Sequence, residues 1–200
     1  MSGLTLGLST ASPALSLALF EGDRLLAHDH RIIGRGHAEA LLPGVIALLA
    51  GRRPDAIVVD TGPGSFTGIR IGIAAARALG LAWGVPVTGC EGGALVAARA
   101  FALRPGLAAV TVLMDAGRGQ VLHQTVTADF TLSPIETRSV VALAPGADEA
   151  SAGAMASADH GDRVHAGHPD MADLMCLPPA RRGLPPAALY IRPPDAVLPL

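Results

Sequence analysis

Aromatic and charged residues are both scarce in this 200-residue chain, at 3% and 16% of the sequence. Hydrophobic residues make up 50%. Ala supplies much of that share and a further 24 residues are Gly, so the core must be built from aliphatic side chains and close backbone contacts. A chain of this length can bury a sizeable core, and it fits either one domain or two small lobes.

Positive charge is also limited, because the formal net charge is −2. A protein that binds nucleic acid on its own needs clustered Lys and Arg to meet the phosphates. The basic doublets here, Arg52-Arg53 and Arg181-Arg182, are more typical of solvated loops. The charge balance therefore argues against independent nucleic-acid binding.

Disulfides and membrane spans are not indicated either. Cys90 and Cys176 share no short spacing, so neither a disulfide framework nor a CxxC metal or redox site is suggested. The apolar run before Glu21 lacks a basic start and alternates like strands, and the run over 69–85 carries Arg70 and Arg77. We expect a soluble, cytoplasmic protein.

Apolar periodicity predicts an α/β chain whose two halves begin alike. The first half is predicted to contain strands 4–9, 14–20 and 24–30, helix 37–49, strand 56–60, helix 67–83, strand 85–89 and helix 91–101. The second is predicted to contain strands 108–114, 120–127 and 134–141, a helix at about 146–158 and a strand at 163–166. The repeated meander suggests duplication, with the boundary near Arg104-Pro105-Gly106.

The most informative segment is Asp60 to Gly72, which reads DTGPGSFTGIRIG between a buried strand and a helix. Its glycines permit close backbone approach, and its hydroxyl side chains can cap a helix N-terminus, which can hold an anion. It is not a Walker A loop, because no Gly-Lys-Ser/Thr follows at the required spacing. The residues assigned to a nucleotide or phosphate loop are Thr10, Gly62, Gly64 and Ser65.

This loop resembles that of the TsaB family, also called YeaZ. Three more segments fit: LTLGLSTASPALSLALF at 4–20, HAEALLPGVIALL at 37–49 and YIRPPDA at 190–196. The resemblance implies the actin-like ATPase superfamily plan of two RNase H-like lobes, with the second lobe shortened here. It makes residues 1–104 the lobe for dimerisation and TsaD binding. Residues 105–200 form the reduced lobe, whose tail from about 186 is a candidate to pack back on the first.

The resemblance also implies a function. TsaB is the bacterial partner subunit in the synthesis of threonylcarbamoyladenosine at position 37 of tRNA. This chain would then be a non-catalytic subunit that binds and activates the transferase TsaD, with the ATPase TsaE joining the assembly. A homodimer in isolation is plausible, and tRNA would be reached only through the complex. The resemblance implies no required cofactor. Weak binding of ATP or ADP stays open, and the TsaD interface is its favoured place.

Two missing ligands agree with a non-catalytic role. Catalytic relatives carry His-x-x-x-His on the helix after the first meander, which can bind one metal ion, whereas here His37 is followed by Leu41. Actin-like enzymes usually place an Asp at the end of the first strand, and this chain has Ser9-Thr10-Ala11 there. Neutral oxygens are poor sole ligands for Mg²⁺. We therefore predict no catalytic residue and no metal site.

Other chemical interpretations are weaker. The run GLSTA at 7–11 resembles a hydrolase nucleophile elbow but lacks the strand-to-helix turn. The segment 159–173 matches no metal-binding template and is predicted to be a solvated loop. Its candidate ligands are Asp159, His160, Asp162, His165, His168, Asp170 and Asp173. The alternative function is an autonomous ATP-binding enzyme or glycoprotease-like peptidase of the actin-like fold, which nucleotide turnover would reveal.

Small residues recur every four positions on the 67–83 helix, at Gly68, Gly72, Ala76 and Gly80. Such a stripe permits close approach either to the chain's own sheet or to a partner, and the pattern leaves both open. The resemblance favours a partner, because TsaB pairs with TsaD and with itself through first-lobe helices. The predicted interface comprises His37, Leu41, Leu42, Val45, Gly68, Ile69, Gly72, Ile73, Ala76 and Leu79.

Overall fold

The structure is a computed structural model that describes residues 3–140, 150–156, 162–164 and 166–191. It contains two five-stranded mixed sheets with helices packed against them. The α/β class and the two-lobe plan expected from the sequence are confirmed. Among the described residues, no helix has both the length and the hydropathy needed to cross a membrane.

The first sheet has the strand order β3-β2-β1-β4-β5. Its strands are β1 (Leu4–Ser9), β2 (Ala14–Glu21), β3 (Arg24–Ile32), β4 (Ala56–Asp60) and β5 (Val87–Cys90). The first three form an antiparallel meander, whereas β4 is parallel to β1 and β5 to β4. Parallel neighbours need crossover connections. These contain α1 (His37–Leu49) before β4 and α2 (Phe66–Trp83) before β5, and α3 (Gly92–Leu103) follows β5.

The second sheet repeats this order, as β10-β9-β6-β7-β8. Its strands are β6 (Ala109–Gly117), β7 (Gln120–Thr127), β8 (Glu136–Ser139), β9 (Ala150–Ala152) and β10 (Asp162–Val164). Starting from the meander edge, the sequence β8-β7-β6-β9-β10 matches β3-β2-β1-β4-β5, with β9 parallel to both β6 and β10. The predicted repeat is confirmed in its strand order, and the last two strands of the second sheet are only three residues each.

The helix predicted over 146–158 is wrong where the structure describes that span. Residues 150–152 form β9, and a turn follows in which Gly153 has a φ of 107°. The Ala-rich composition favours a helix locally. Ser151, however, pairs in parallel with Thr111 of β6, so sheet pairing outweighs helix propensity. The other residues of the predicted helix lie outside the described ranges.

The core forms in layers because β2 is buried on both faces. Its odd-numbered residues, such as Leu17, point toward α1 and α2, and its even-numbered residues, such as Phe20, point toward α3. A 3-10 helix, Met171–Cys176, covers the same face as α3. The other side of α3 packs on the second sheet through Val96, Ala97 and Ala100. Helix α3 therefore lies between the two sheets, where small residues allow close approach.

The glycine stripe of α2 faces its own sheet. A Cβ atom at Gly72 would lie 2.6 Å from Oγ1 of Thr10, and one at Gly68 would overlap the carbonyl oxygen of Thr10. A Cβ at Gly80 would overlap Val87, and Ala76 is fully buried in the first-lobe core. The partner contact predicted for Gly68, Gly72 and Ala76 is therefore wrong, because helix–sheet packing already occupies this face.

The chain returns to the first lobe after β10. The 3-10 helix packs on β1 and β2, and Leu184 bridges to Gly89 of β5. Farther along, the N–H of Leu189 donates to the carbonyl oxygen of Thr61 at 2.8 Å. The predicted boundary at residue 104 thus separates the two sheets in sequence, but residues 171–191 contact the first of them.

Candidate functional site

A cleft of about 1120 Å³ lies between the lobes. This volume is just above the range of roughly 300–1,000 Å³ that is typical of small-molecule sites. One wall consists of residues 11–13, 34–39 and 64–68, and the other includes residues 114–118, 167–169 and 190–191. The first wall thus contains the turn after β1, the start of α1 and the glycine loop.

The glycine loop is held against the turn after β1. The N–H of Ser65 donates to the carbonyl oxygen of Ala11 at 2.7 Å, and a Cβ at Gly64 would overlap that same oxygen. The hydroxyl of Ser65 accepts from the N–H of Gly68 at 3.2 Å and so caps α2. Glycine is required at position 64 because no side chain fits between the loop and Ala11.

Two of the four residues predicted for a nucleotide or phosphate loop, Gly64 and Ser65, lie on the cleft wall. Thr10 is buried, and its hydroxyl donates to the carbonyl oxygen of Gly68 at 2.7 Å. Gly62 is also buried, and its N–H donates to Oδ1 of Asp60 at 2.9 Å. Thr10 and Gly62 therefore support the loop from behind, and a nucleotide contact stays a prediction for Gly64 and Ser65.

A buried carboxylate that the sequence reasoning missed lies behind the loop. Asp60, the last residue of β4, is 1% exposed, and the hydroxyl of Ser9 donates to its Oδ2 at 2.7 Å. The two side chains meet because the carboxyl ends of parallel strands share one edge of the sheet. Burial raises the pKa of Asp60 to about 6, although the hydrogen bonds from Ser9 and Gly62 oppose this rise. The sequence signal for this site was an acidic residue, Asp60, at the end of a predicted buried strand.

The residues predicted for a partner interface lie mostly in the core of the first lobe. Leu41, Val45 and Ile69 are each 1% exposed, and Nε2 of His37 lies 3.4 Å from the carbonyl oxygen of Ala14. Ile73 is buried as well, and Leu79 is partly buried against the same core. In this conformation the buried side chains of Leu41, Val45, Ile69 and Ile73 cannot contact a partner, so their assignment is corrected. A partner contact by His37, which lines the cleft, or by Leu79 stays a prediction. The helical period turns one face of α1 to the sheet.

The outer face of α1 is different. Leu42 is 47% exposed and Ile46, four residues later, is 72% exposed. Leu42 belongs to the predicted interface, whereas Ile46 was missed. The signal for Ile46 was its spacing, because residues four apart lie on one side of a helix.

The segment predicted to be a solvated loop is partly buried. Asp173 is in the core, and Asp170 contacts both His28 and His30. Burial raises the pKa of Asp173 to about 6. His168 lies on the cleft wall. Asp159, His160, His165 and the side chain of Asp162 lie outside the described part of the chain.

Comparison with known proteins decides the family. The model of the family TsaD, tRNA N6-adenosine threonylcarbamoyltransferase, matches residues 31–144. This stretch is more than half of the chain, and it runs from the end of β3 through the glycine loop to just beyond β8. The chain belongs to this family.

Curated relatives are named TsaB. The chain is 32% identical over 141 residues to the tRNA threonylcarbamoyladenosine biosynthesis protein TsaB of Haemophilus influenzae, covering 65% of this chain and 59% of that protein. It is 31% identical over 121 residues to TsaB of Bacillus subtilis, covering 58% and 52%. An uncharacterized protein of Mycobacterium tuberculosis is 42% identical over 91 residues, covering 42% and 43%. The chain spans about half the length of the curated relatives it matches.

Solved structures agree. YeaZ from Pseudomonas aeruginosa superimposes with a TM-score of 0.72 at 29% identity, covering 87% of this chain and 89% of that one. An uncharacterized protein with similarity to peptidase YeaZ from Pseudomonas aeruginosa gives a TM-score of 0.74 at 28% identity, covering 95% and 100%. The resemblance to the TsaB/YeaZ family is confirmed, and the chain shares the fold of these two structures.

Proposed function

We propose that this chain is a non-catalytic TsaB-type subunit of the cytoplasmic machinery that makes threonylcarbamoyladenosine in tRNA. In this proposal it binds and activates the transferase TsaD, and TsaE joins the assembly. The main support comes from α1. The position that would carry a second metal-binding His in catalytic relatives is Leu41, which is 1% exposed inside the first-lobe core. One imidazole, that of His37, is too few ligands for a catalytic metal site.

The outer face of α1 is the proposed contact surface for TsaD. Leu42 and Ile46 lie one turn apart and are both largely exposed, whereas Leu41 and Val45 anchor the helix to the sheet. Adjacent exposed apolar side chains are typical of protein interaction sites. The proposal thus keeps α1 as the interface helix and moves the contact from its inner face to its outer face.

A subunit without catalytic groups can raise turnover only through binding energy. It does so if it binds the competent conformation of TsaD more tightly than the other conformations. The net charge of −2 favours access to tRNA through the complex rather than through this chain alone. A homodimer through the same face would then compete with TsaD binding.

The test is reconstitution of tRNA modification with TsaD and TsaE from the same organism. Ile46→Glu places a charge in the proposed contact, and we expect at least tenfold weaker TsaD binding, about 1.4 kcal/mol. Ala102→Glu, at an exposed position of α3, is the matched control and should bind normally. Equal TsaD affinity for the two variants would contradict the placement.

The non-catalytic role is tested separately with Ser9→Ala, at the end of β1. We expect turnover at saturating subunit concentration to match wild type, because Ser9 is buried away from the cleft wall and its hydroxyl donates to the buried Asp60. A variant that assembles fully with TsaD yet loses more than about tenfold in turnover would show that this chain takes part in the chemistry.

The cleft favours a second candidate, weak binding of ATP or ADP. The observation behind it is that Gly64 and Ser65 bring the N-terminus of the 18-residue helix α2 to the cleft wall, and such a terminus favours anions. Calorimetry with ADP should detect binding that Ser65→Asp weakens by repulsion. No binding at about 1 mM ADP would reject this role. ATP turnover by the purified chain would instead favour an autonomous enzyme.

A further inference from the structure

Three potential metal ligands meet on the α3 side of the first sheet. They are His28 and His30 of β3 and Asp170, which precedes the 3-10 helix, and their ligand atoms all lie within 4.8 Å of one another. Side chains two residues apart on a strand point to one face. His30 pairs with Ser16 of β2, and Ser16 faces Asp170. None of the three ligands lines the cleft.

The spacing of these atoms suits a small cation. Nε2 of His28 lies 2.7 Å from Oδ1 of Asp170, and Nδ1 of His30 lies 3.6 Å from Oδ2. A tetrahedral zinc ion, bound at about 2.0–2.1 Å, separates its nitrogen and oxygen ligands by about 3.4 Å. The gap between Nδ1 of His30 and Oδ2 of Asp170 is therefore near the required value. Nε2 of His28 contacts the other carboxylate oxygen, Oδ1, and would exchange that contact for the ion.

One potential ligand atom of the cluster has no hydrogen-bond partner among the described residues. This atom is Nδ1 of His30, which is buried. A buried polar atom without a partner is costly in a folded protein. Coordination of a cation would satisfy it, provided that the imidazole is unprotonated.

Neighbouring groups fix the carboxylate and set its charge. The hydroxyl of Ser16 and the N–H of Ala172 donate to Oδ1 of Asp170 at 3.1 and 2.9 Å, which leaves Oδ2 toward His30. Nε of Arg99 lies 3.1 Å from Asp173, and its NH2 group is 3.7 Å from Asp170. With neutral imidazoles, the two carboxylates and one guanidinium carry one net negative charge at neutral pH. This charge favours a cation.

We propose that His28, His30 and Asp170 bind one divalent transition-metal ion of the zinc type, with water as the fourth ligand. Two imidazoles and a carboxylate are zinc-type ligands, whereas Mg²⁺ and Ca²⁺ prefer oxygen alone. The side chains of His28 and His30 are 32% and 23% exposed, so solvent reaches the site. The bound ion ties β3 to a segment about 140 residues later and so holds the returning chain on the first lobe.

The first test uses Co²⁺ as a spectroscopic probe with the full chain. We expect one Co²⁺ per chain, visible absorption typical of four-coordinate cobalt, and displacement by Zn²⁺. His28→Gln and His30→Gln should each weaken binding at least about 100-fold, because even residues outside the first coordination shell cost 10–100-fold. His123→Gln, in β7 of the second sheet, is the matched control and should bind Co²⁺ like wild type.

The second test measures the midpoint of thermal unfolding as Zn²⁺ is added. An ion that binds only the folded state raises the midpoint of thermal unfolding as the ion concentration increases. We expect this rise in the wild type and in His123→Gln, with reversal by chelator, and its loss in His30→Gln. Circular dichroism verifies that each variant is folded. If one of the two β3 variants, His28→Gln or His30→Gln, does not fold, the other is sufficient for the test. Equal Co²⁺ affinity in wild type and a folded β3 variant, or no 1:1 binding, would overturn the proposal and leave a His–Asp ion pair.

Discussion

Replacement of Gly72 by Leu distinguishes a core role of the α2 stripe from a partner surface. The first added atom would already lie 2.6 Å from Oγ1 of Thr10, with Val59 and Leu8 at 3.5 and 3.6 Å. Three further carbon atoms would have to enter the same space. The hydroxyl of Thr10 donates to the carbonyl oxygen of Gly68 at 2.7 Å, so it cannot move without loss of that bond.

The expected destabilisation follows from three contributions. Overpacking of a core costs up to about 3 kcal/mol, and loss of the Thr10 hydrogen bond costs about 1 kcal/mol. Leu is a better helix former than Gly, which returns about 1 kcal/mol. The net loss is therefore about 3 kcal/mol of unfolding free energy. For a chain of this size, that loss lowers the midpoint of thermal unfolding by about 6–12 °C.

The assay is urea and thermal unfolding followed by far-ultraviolet circular dichroism. Ala74→Leu is the matched control, because it adds the same side chain at an exposed position of the same helix. It should change stability by less than about 0.5 kcal/mol. If Gly72→Leu instead unfolds like wild type but no longer associates with TsaD or with itself, the stripe is a partner surface and the packing argument fails.

Two further predictions concern the buried carboxylate and the tail. Burial raises the pKa of Asp60 from 3.8 to about 6, so the folded state binds the proton more tightly and this residue lowers stability as pH rises from about 4 to about 6. Over that window, the unfolding free energy of Asp60→Asn in urea titrations should rise by about 3 kcal/mol relative to that of wild type. A difference that stays constant with pH would refute this. Nε of Arg70 donates to the Tyr190 hydroxyl at 2.9 Å, and Phe66 contacts the Tyr190 ring. Tyr190→Ala should therefore speed tryptic cleavage after Arg181 or Arg182 about fivefold, which corresponds to about 1 kcal/mol, and an unchanged rate would contradict the anchoring role.

Local patterns were sufficient to predict most elements of the fold. The leucines of β2 alternate, and the apolar residues of α1 recur at the helical period, so both elements are encoded within a few neighbouring residues. The glycine loop was recognisable for the same reason. Residues 150–152 were assigned to the wrong element because their state depends on pairing with β6, about 40 residues earlier.

The site was harder to predict because its contacts are distant or ambiguous in sequence. A stripe containing Gly68 and Gly72 looks the same whether it meets a sheet or a partner helix, and only the position of Thr10 decides. His28 and Asp170 are 142 residues apart, and no spacing rule joins them. Asp60 and Ser9 meet only because their strands are neighbours in the sheet.

The position of α3 has a consequence for how the protein opens. Ala94, Leu95 and Ala98 pack toward the first sheet, and Val96, Ala97 and Ala100 pack toward the second. Neither lobe can lose this helix without exposing the core of the other, so the two lobes should behave as one cooperative unit. In native-state hydrogen exchange, the amides of β1 and β6 should then share the same slowest opening event rather than exchange lobe by lobe.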